Sequence, residues 1–126
     1  MIKVLLVSQD KNSFFDMIDA FKSRNVQVYL AQSGTLALTM IEKTLYNLLI
    51  TDEHLPDMTG RFLIEKTVTL NPLMNCVAIS TLSYEDFHEE FEGMGVLMQF
   101  PPSPDAQDVQ KLLDHLEKIY SLSKQL

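Results

Sequence analysis

The sequence predicts a doubly wound α/β domain, in which helices cover both faces of a five-stranded parallel sheet. Short apolar or β-branched segments alternate five times with longer segments whose apolar residues recur every three or four positions. The connections are short, which favours right-handed crossovers and a parallel sheet. The 126 residues suffice for one such domain and are too few for two. We expect it to occupy residues 1–120, followed by a tail or the start of a linker over residues 121–126.

The composition is that of an acidic protein of ordinary hydrophobicity. Hydrophobic residues make up 46% of the chain, and the formal net charge is −7. Because lysine and arginine must replace counterions along nucleic-acid phosphates, direct nucleic-acid binding is not expected, and neither is binding to an anionic membrane. No apolar run approaches the roughly 18 residues of a membrane span. The single cysteine, Cys76, excludes an internal disulfide bond and fits a cytoplasmic location.

The first strand and helix lie at the amino-terminal end. Lys3–Val7 carries aliphatic residues without alternation, which predicts a central strand buried on both faces. A polar loop over residues 8–12 separates it from a helix that begins near Ser13 and ends near Arg24. The apolar stripe expected on this helix consists of Phe14, Phe15, Ile18 and Phe21.

The next three elements lead to the centre of the sheet. Val26–Ala31 alternates and is rich in β-branched and aromatic residues, which predicts a strand nearer an edge. Ser33 is a favourable N-cap for a second helix. The apolar face of that helix is expected to comprise Leu36, Ala37, Met40 and Ile41. Leu48–Thr51 is a short apolar run that ends in turn residues, so it predicts a third, buried strand with Asp52 at its carboxyl end.

Two helices and one strand are expected between residues 60 and 93. A helix that begins at Gly60 is ended by Asn71 and Pro72, and a fourth strand follows over residues 75–80. Ser83 has an acidic residue three positions later, which is the spacing of a capping box at the start of a short fourth helix. Five acidic residues in this helix region form either a solvated face or a docking surface for a basic partner: Glu85, Asp86, Glu89, Glu90 and Glu92.

The last strand and helix complete the predicted pattern. Val96–Phe100 is the fifth strand, and two prolines close it. Ser103 as the N-cap and Pro104 as the first helical residue predict the start of the last helix. The stripe of this helix comprises Val109, Leu112, Leu113, Leu116 and Ile119.

Polar side chains gather at the carboxyl edge of the predicted sheet, where open α/β sheets bind ligands. The strand ends bring Ser8, Gln9, Asp10, Asp52, Glu53, His54, Ser80 and Thr81 to this edge. No glycine-rich phosphate loop follows the first strand, which argues against a flavin or dinucleotide site. The three histidines are too widely spaced to indicate a zinc site, and the Gly-x-Ser-x-Gly motif of hydrolases is absent.

The segment Asp52–Gly60 reads Asp-Glu-His-Leu-Pro-Asp-Met-Thr-Gly. It resembles the phosphoacceptor segment of response-regulator receiver domains, Asp-x-x-(Leu/Met)-Pro-x-Met-x-Gly. The strand Val4–Val7 resembles the first strand of that family, and Asn75–Ser80 resembles its fourth strand, which ends in Ser or Thr. The similarity extends over about residues 2–116. It implies the flavodoxin-like (βα)5 fold with strand order 2-1-3-4-5.

The resemblance also implies roles for individual residues. Asp52 would be the nucleophile that accepts a phosphoryl group from a histidine kinase or phosphotransfer protein, and the Ser80 hydroxyl would hydrogen-bond the phosphoryl oxygens. Mg²⁺ would be the cofactor, with Asp52 and the backbone carbonyl of His54 as ligands and with Gln9 and Asp10 as weaker candidates. Such a chain would be a phosphoacceptor signalling domain rather than a turnover enzyme. The face formed by the fourth helix, fifth strand and fifth helix would bind a partner protein or a second copy of the chain.

The metal-binding half of the family's pattern is incomplete in this sequence. The acidic pair that follows the first strand in receiver domains falls on Ser8 and Gln9, with only Asp10 acidic beside them. Mg²⁺ prefers several oxygen ligands in a tight octahedron and gives up its bound water molecules reluctantly. We therefore expect weak Mg²⁺ binding, and Asp10 is better explained as a loop or helix-cap residue than as a metal ligand.

The lysine of the family's pattern is also missing. Its position falls on Phe100 or on Pro101, depending on a small gap, and no lysine occurs between residues 66 and 111. The aromatic switch residue would fall on Leu97 or Met98, neither of which is aromatic. The phosphoryl group would therefore lack the positive charge that this lysine supplies in the family.

Three functions are compatible with these observations. The first is a receiver domain that accepts a phosphoryl group on Asp52, or that signals independently of phosphorylation because its site is atypical. The second is a pseudo-receiver interaction module without phosphotransfer. The third is a flavodoxin-like cofactor-binding protein, which the absence of a phosphate loop after the first strand disfavours.

Overall fold

The computed structural model describes the backbone of residues 2–125 and the side chains of residues 2–121. The strands are β1 (Lys3–Val7), β2 (Gln27–Ala31), β3 (Leu48–Thr51), β4 (Asn75–Ile79) and β5 (Val96–Phe100). The helices are α1 (Phe15–Ser23), α2 (Gly34–Lys43), α3 (Gly60–Leu70), α4 (Tyr84–Glu90) and α5 (Ala106–Gln125), and a short 3₁₀ helix over Lys11–Phe14 leads into α1. The strands are parallel and lie in the order β2-β1-β3-β4-β5. This order confirms the predicted fold and the edge position predicted for β2.

The sheet separates two hydrophobic cores, and β1 contributes to both. Val4 and Leu6 pack in the core formed with α1 and α5, whereas Leu5 and Val7 pack in the core formed with α2, α3 and α4. Successive side chains of a strand point to opposite faces, so a continuous aliphatic strand is what two covered faces require. All four residues are buried, as predicted for a central strand.

Two of the predicted apolar stripes differ from the observed faces. Phe15 is 62% exposed, and Met17 is buried instead, together with Phe14 and Phe21. The 3₁₀ helix over Lys11–Phe14 sets the phase of α1, so the face towards the sheet differs from the one that a regular helix from Ser13 would present. Leu36 is 45% exposed because it lies about 100° around α2 from the buried Ala37.

The N-caps of the helices were predicted correctly at two of three positions. The Ser33 side chain accepts a hydrogen bond from the Leu36 amide, and the Ser83 side chain accepts one from the Asp86 amide. The prediction of Ser103 as the N-cap of α5 is wrong, because α5 begins two residues later than expected, after Asp105.

Asp105 and Asp108 form the start of α5. The Asp105 carboxylate accepts hydrogen bonds from the amides of Gln107 (2.9 Å) and Asp108 (3.1 Å), while Asp108 accepts one from the Asp105 amide (3.0 Å). This is a reciprocal capping arrangement. At its other end α5 continues to Gln125, into the segment expected to form a tail or linker, and residue 126 of that segment lies outside the described residues. Within residues 2–125, no helix is both long and apolar enough to cross a bilayer.

Candidate functional site

The turn after β3 places Asp52 at the carboxyl edge of the sheet. The Asp52 amide donates to the Val7 carbonyl of the neighbouring strand at 3.0 Å, so β1 holds the residue in register with β3. The turn closes on itself through hydrogen bonds from the Gly60 amide to the Glu53 carbonyl (2.8 Å) and from the Leu55 amide to the Met58 carbonyl (3.0 Å). A Cβ atom on Gly60 would collide with the Asp52 carbonyl oxygen, so this position requires glycine.

A second motif residue, Asp57, fastens the same turn to α2. Its carboxylate accepts hydrogen bonds from the amides of Gly34 and Thr35, both at 2.9 Å, and from the Thr35 hydroxyl. The Thr35 hydroxyl and amide, together with the Gly34 amide, lower the pKa of Asp57 to about 2. Met58 packs where a Cβ atom on Gly34 would lie, which brings the turn and the helix into close contact.

The Asp52 carboxylate is partly exposed and accepts two hydrogen bonds. The Ser8 hydroxyl donates to Oδ2 at 3.3 Å, and the Glu53 amide donates to Oδ1 at 3.0 Å. Among the described side chains, the only ion pairs within 4 Å are those of Arg61 with Glu65 and Glu90, so no basic group pairs with Asp52.

Ser80 follows β4 and is only 2% exposed. Its hydroxyl donates to Glu53 Oε1 at 2.9 Å and accepts from the Leu82 amide at 3.0 Å. The Thr81 hydroxyl donates to Glu53 Oε2 at 3.4 Å. The residues that the resemblance assigned to the phosphoacceptor and to the phosphoryl-binding hydroxyl therefore lie at adjacent strand ends, with Glu53 bridging towards the second.

The partnership of Glu53 with Ser80 was not predicted. Glu53 was expected at the carboxyl edge of the sheet, without a role of its own. The available signal was an acidic residue directly after the motif aspartate, at an edge where two hydroxyl residues follow the neighbouring strand.

The loop after β1 does not bring a second carboxylate to Asp52. The Asp10 carboxylate accepts hydrogen bonds from the Asn12 amide (3.2 Å) and the Ser13 hydroxyl (2.7 Å), which caps the 3₁₀ helix. Gln9 is exposed, and the Ser8 hydroxyl accepts from the Asp10 amide at 3.1 Å. Of the ligands that the resemblance implies, Asp10 is thus occupied in capping and Gln9 is exposed, which leaves the Asp52 carboxylate and the His54 carbonyl. Such a donor set fits Mg²⁺ poorly, since the ion prefers several rigid oxygen ligands.

Neither candidate position for the missing lysine carries a charge. Phe100 ends β5 with 1% exposure, in the core with α5, and its carbonyl accepts a hydrogen bond from the Ser80 amide at 3.0 Å. Pro101 is exposed. The residue before them, Gln99, donates through its side-chain amide to the carbonyls of Ser80 (3.3 Å) and Leu82 (2.8 Å). β5 therefore contributes no cation here, and its uncharged Gln99 side chain holds the loop after β4 by hydrogen bonds.

A groove lies between α4 and β5, away from Asp52. Its volume is about 830 Å³. Phe91, Val96, Leu97 and Met98 form its apolar wall and are only partly buried, while the rim carries Glu85, Glu89 and Glu92. β5 is an edge strand of the sheet, so one of its sides has no neighbouring strand.

Comparison of the structure with solved structures gave extensive matches. A receiver domain protein from Methanospirillum hungatei JF-1 superposes with a TM-score of 0.83 at 21% identity, covering 100% of this chain and 99% of that one. The signal receiver domain of an HD domain-containing protein from Pseudomonas fluorescens Pf-5 gives 0.82 at 19% identity, covering 99% and 93%. The chemotaxis response regulator CheY4 of Vibrio cholerae gives 0.80 at 19% identity, covering 90% and 97%. The chain has the fold of response-regulator receiver domains.

The likeness to these solved structures is structural, whereas the sequence resemblance rests on the short segment Asp52–Gly60 and on the pattern of the strands. No family model matches the chain, and no curated protein matches it. At identities of 19–21% the likeness concerns the path of the backbone. The chemistry at the carboxyl edge of this receiver fold has to be inferred from its own side chains.

Proposed function

We propose that the chain is a receiver-type signalling domain of a two-component or phosphorelay system, with Asp52 as a weak phosphoacceptor. The observation that supports this proposal most directly is the environment of Asp52. The carboxylate is partly exposed and accepts hydrogen bonds from Ser8 and Glu53, and among the side chains of residues 2–121 no basic group pairs with it. Under this proposal Asp52 supplies the nucleophile, and no ion pair among the described side chains supplies the charge that would neutralise an incoming phosphoryl group.

The proposed reaction is a transfer between two nucleophiles. One oxygen of Asp52 attacks the phosphorus atom, and the bond from phosphorus to the donor, a kinase histidine nitrogen or the carboxylate of acetyl phosphate, breaks with its electron pair on the donor. The product is an aspartyl phosphate. Because attack of a carboxylate on a phosphate dianion brings like charges together, a site without cations should perform this step slowly.

Mg²⁺ would supply charge neutralisation at the phosphoryl oxygens when bound. The residues that would hold it are Asp52 and the His54 carbonyl. Asp10 is committed to capping the 3₁₀ helix, and Gln9 offers only an amide oxygen. We therefore propose that Mg²⁺ binds weakly and that millimolar concentrations are needed for any modification of Asp52.

Incubation with acetyl phosphate and Mg²⁺, followed by intact-mass measurement, tests this function. We expect slow, partial addition of one phosphoryl group, and no addition to Asp52→Asn. Rapid and complete modification would contradict a weak phosphoacceptor. No addition at millimolar Mg²⁺, combined with no response to beryllofluoride, would rule out phosphotransfer and leave a phosphorylation-independent receiver.

The groove between α4 and β5 supports a second function, that of a protein interaction module. It combines an apolar wall, an acidic rim and an edge strand, and these suit a partner segment that is basic and partly apolar. Under this proposal the face formed by α4, β5 and α5 binds such a protein or a second copy of the chain. Light scattering over a concentration series and a pull-down at low and high salt test it. A strict monomer that retains no partner at either salt concentration would contradict it.

A further inference from the structure

The carboxylate of Glu53 has no role in the proposed phosphotransfer, yet it contacts two hydroxyl groups that follow the neighbouring strand β4. Its two oxygens accept hydrogen bonds from the hydroxyls of Ser80 (2.9 Å) and Thr81 (3.4 Å). Ser80 is 2% exposed, so its hydroxyl has little access to water. A hydroxyl has one proton to donate. While Ser80 donates to Glu53, it cannot donate to any other acceptor.

The same hydroxyl also fixes the backbone of the loop after β4. Ser80 Oγ accepts from the Leu82 amide at 3.0 Å, and the Gln99 side chain donates to the carbonyls of Ser80 and Leu82. Residues 80–82 are thus held by Glu53 on one side and by β5 on the other. This arrangement exists in the unmodified chain.

We propose that Glu53 is a built-in anionic ligand for Ser80 and Thr81, which holds the loop over residues 80–82 in the place where a phosphoryl group on Asp52 would hold it. Glu53 is then a positioning residue for Ser80. It provides the two features that a phosphoryl group provides, a negative charge and more than one acceptor oxygen. Its position next to Asp52 in the chain brings these oxygens to the end of β4.

A consequence concerns modification of Asp52, and this part rests on the proposed function. A phosphoryl group on Asp52 would add about 1.5 to 2 negative charges beside the Glu53 carboxylate. It could bond the Ser80 hydroxyl only after Glu53 had released it. Glu53 therefore competes with the phosphoryl group, and its removal should make the site bind phosphoryl-like anions more tightly.

Hydrogen exchange of the Leu82 amide tests the holding of the loop, without any phosphoryl donor. In Glu53→Ala we expect exchange of this amide to accelerate about tenfold, since the Ser80 hydroxyl that accepts from Leu82 loses its charged partner. Glu53→Gln keeps a carbonyl acceptor and should restore part of the protection. Glu42→Gln removes the same charge from an exposed position on α2 and should have no effect. Unchanged Leu82 exchange in both Glu53 variants would overturn the proposal.

Titration with beryllofluoride and Mg²⁺, followed by NMR, tests the competition. We expect the half-saturating concentration to fall about tenfold in Glu53→Ala relative to the parent and to Glu42→Gln, together with larger shifts of the Thr81 and Leu82 amides. Equal or weaker binding by Glu53→Ala would overturn the competition. If no variant binds beryllofluoride while the exchange result is obtained, the phosphoacceptor function and the competition both fail, and the holding of the loop by Glu53 stands.

Discussion

Gly60 lies so close to the backbone carbonyl of Asp52 that no side chain fits between them. The first turn of α3 is thereby packed directly under the strand end that carries the candidate nucleophile. The hydrogen bond from the Gly60 amide to the Glu53 carbonyl, at 2.8 Å, holds this contact in place. The glycine of the motif is required by the approach of two backbone segments.

Substitution of Gly60 by alanine should destabilise the protein. The added methyl group meets a backbone oxygen, which cannot rotate away as a flexible side chain could, and we expect a loss of about 2 kcal/mol in the free energy of unfolding. Urea denaturation followed by circular dichroism measures it. Gln110→Ala, at an exposed position of α5, is the control and should change stability by less than about 0.5 kcal/mol. Equal stability of Gly60→Ala and the parent would show that the turn relaxes without cost.

Asp57 should contribute stability that disappears in acid. Its pKa is about 2 in the folded protein, below the ordinary value of 3.8, so the folded state binds the proton more weakly than the unfolded state. The contribution is therefore complete above the ordinary value and is lost as the pH falls from about 4 to about 2. Urea midpoints of the parent and Asp57→Asn should differ at pH 6 and converge towards pH 2. Asp19→Asn, at an exposed position on α1, should show no such convergence. A constant difference between parent and Asp57→Asn at every pH would contradict the assignment.

Introduction of lysine at the two candidate positions should have very different costs. Phe100→Lys places a charge in the core beside α5 and removes a buried ring, so we expect a loss of about 3 to 5 kcal/mol or failure to fold. Pro101→Lys changes an exposed residue and should cost less than about 1 kcal/mol. Thermal denaturation of both variants checks the comparison. Similar melting temperatures would mean that β5 accommodates a lysine at either position.

The start of α5 should depend on Asp105 and not on Ser103. Asp105→Ala removes the acceptor for two helix amides and should reduce the free energy of unfolding by about 1 kcal/mol. Ser103→Ala should be close to neutral, because Ser103 is exposed and lies three residues before Ala106, the first residue of α5. Chemical denaturation of the pair provides the measurement, and a larger effect at Ser103 would contradict the observed cap.

The elements that could be predicted are those determined by local patterns. The apolar run Leu48–Thr51 identified a buried strand, and turn chemistry after it located Asp52 at the strand end. Ser33 and Ser83 were recognisable as caps because the acceptor and its amide are three residues apart.

The features that were missed depend on neighbours distant in the sequence. The bond between Glu53 and Ser80 joins residues 27 positions apart, through the pairing of β3 with β4. Periodicity showed that α1 is amphipathic, but the choice of Met17 over Phe15 depends on the 3₁₀ helix that precedes it. Ser103 followed by Pro104 is also a good signal for the start of a helix. The N-cap of α5 is nevertheless Asp105, because its carboxylate accepts hydrogen bonds from two helix amides.

The side chain of Gln99 has a mechanical consequence for the whole domain. Its amide joins β5, an open edge of the sheet, to the carbonyls of the loop that carries Ser80. A protein that binds β5 would therefore affect the conformation of that loop through the side chain of Gln99. By thermodynamic reciprocity, if that protein changes the affinity of the loop for an anion, the anion changes the affinity of β5 for the protein by the same factor. One neutral amide thus connects the edge strand β5 to the loop that carries Ser80.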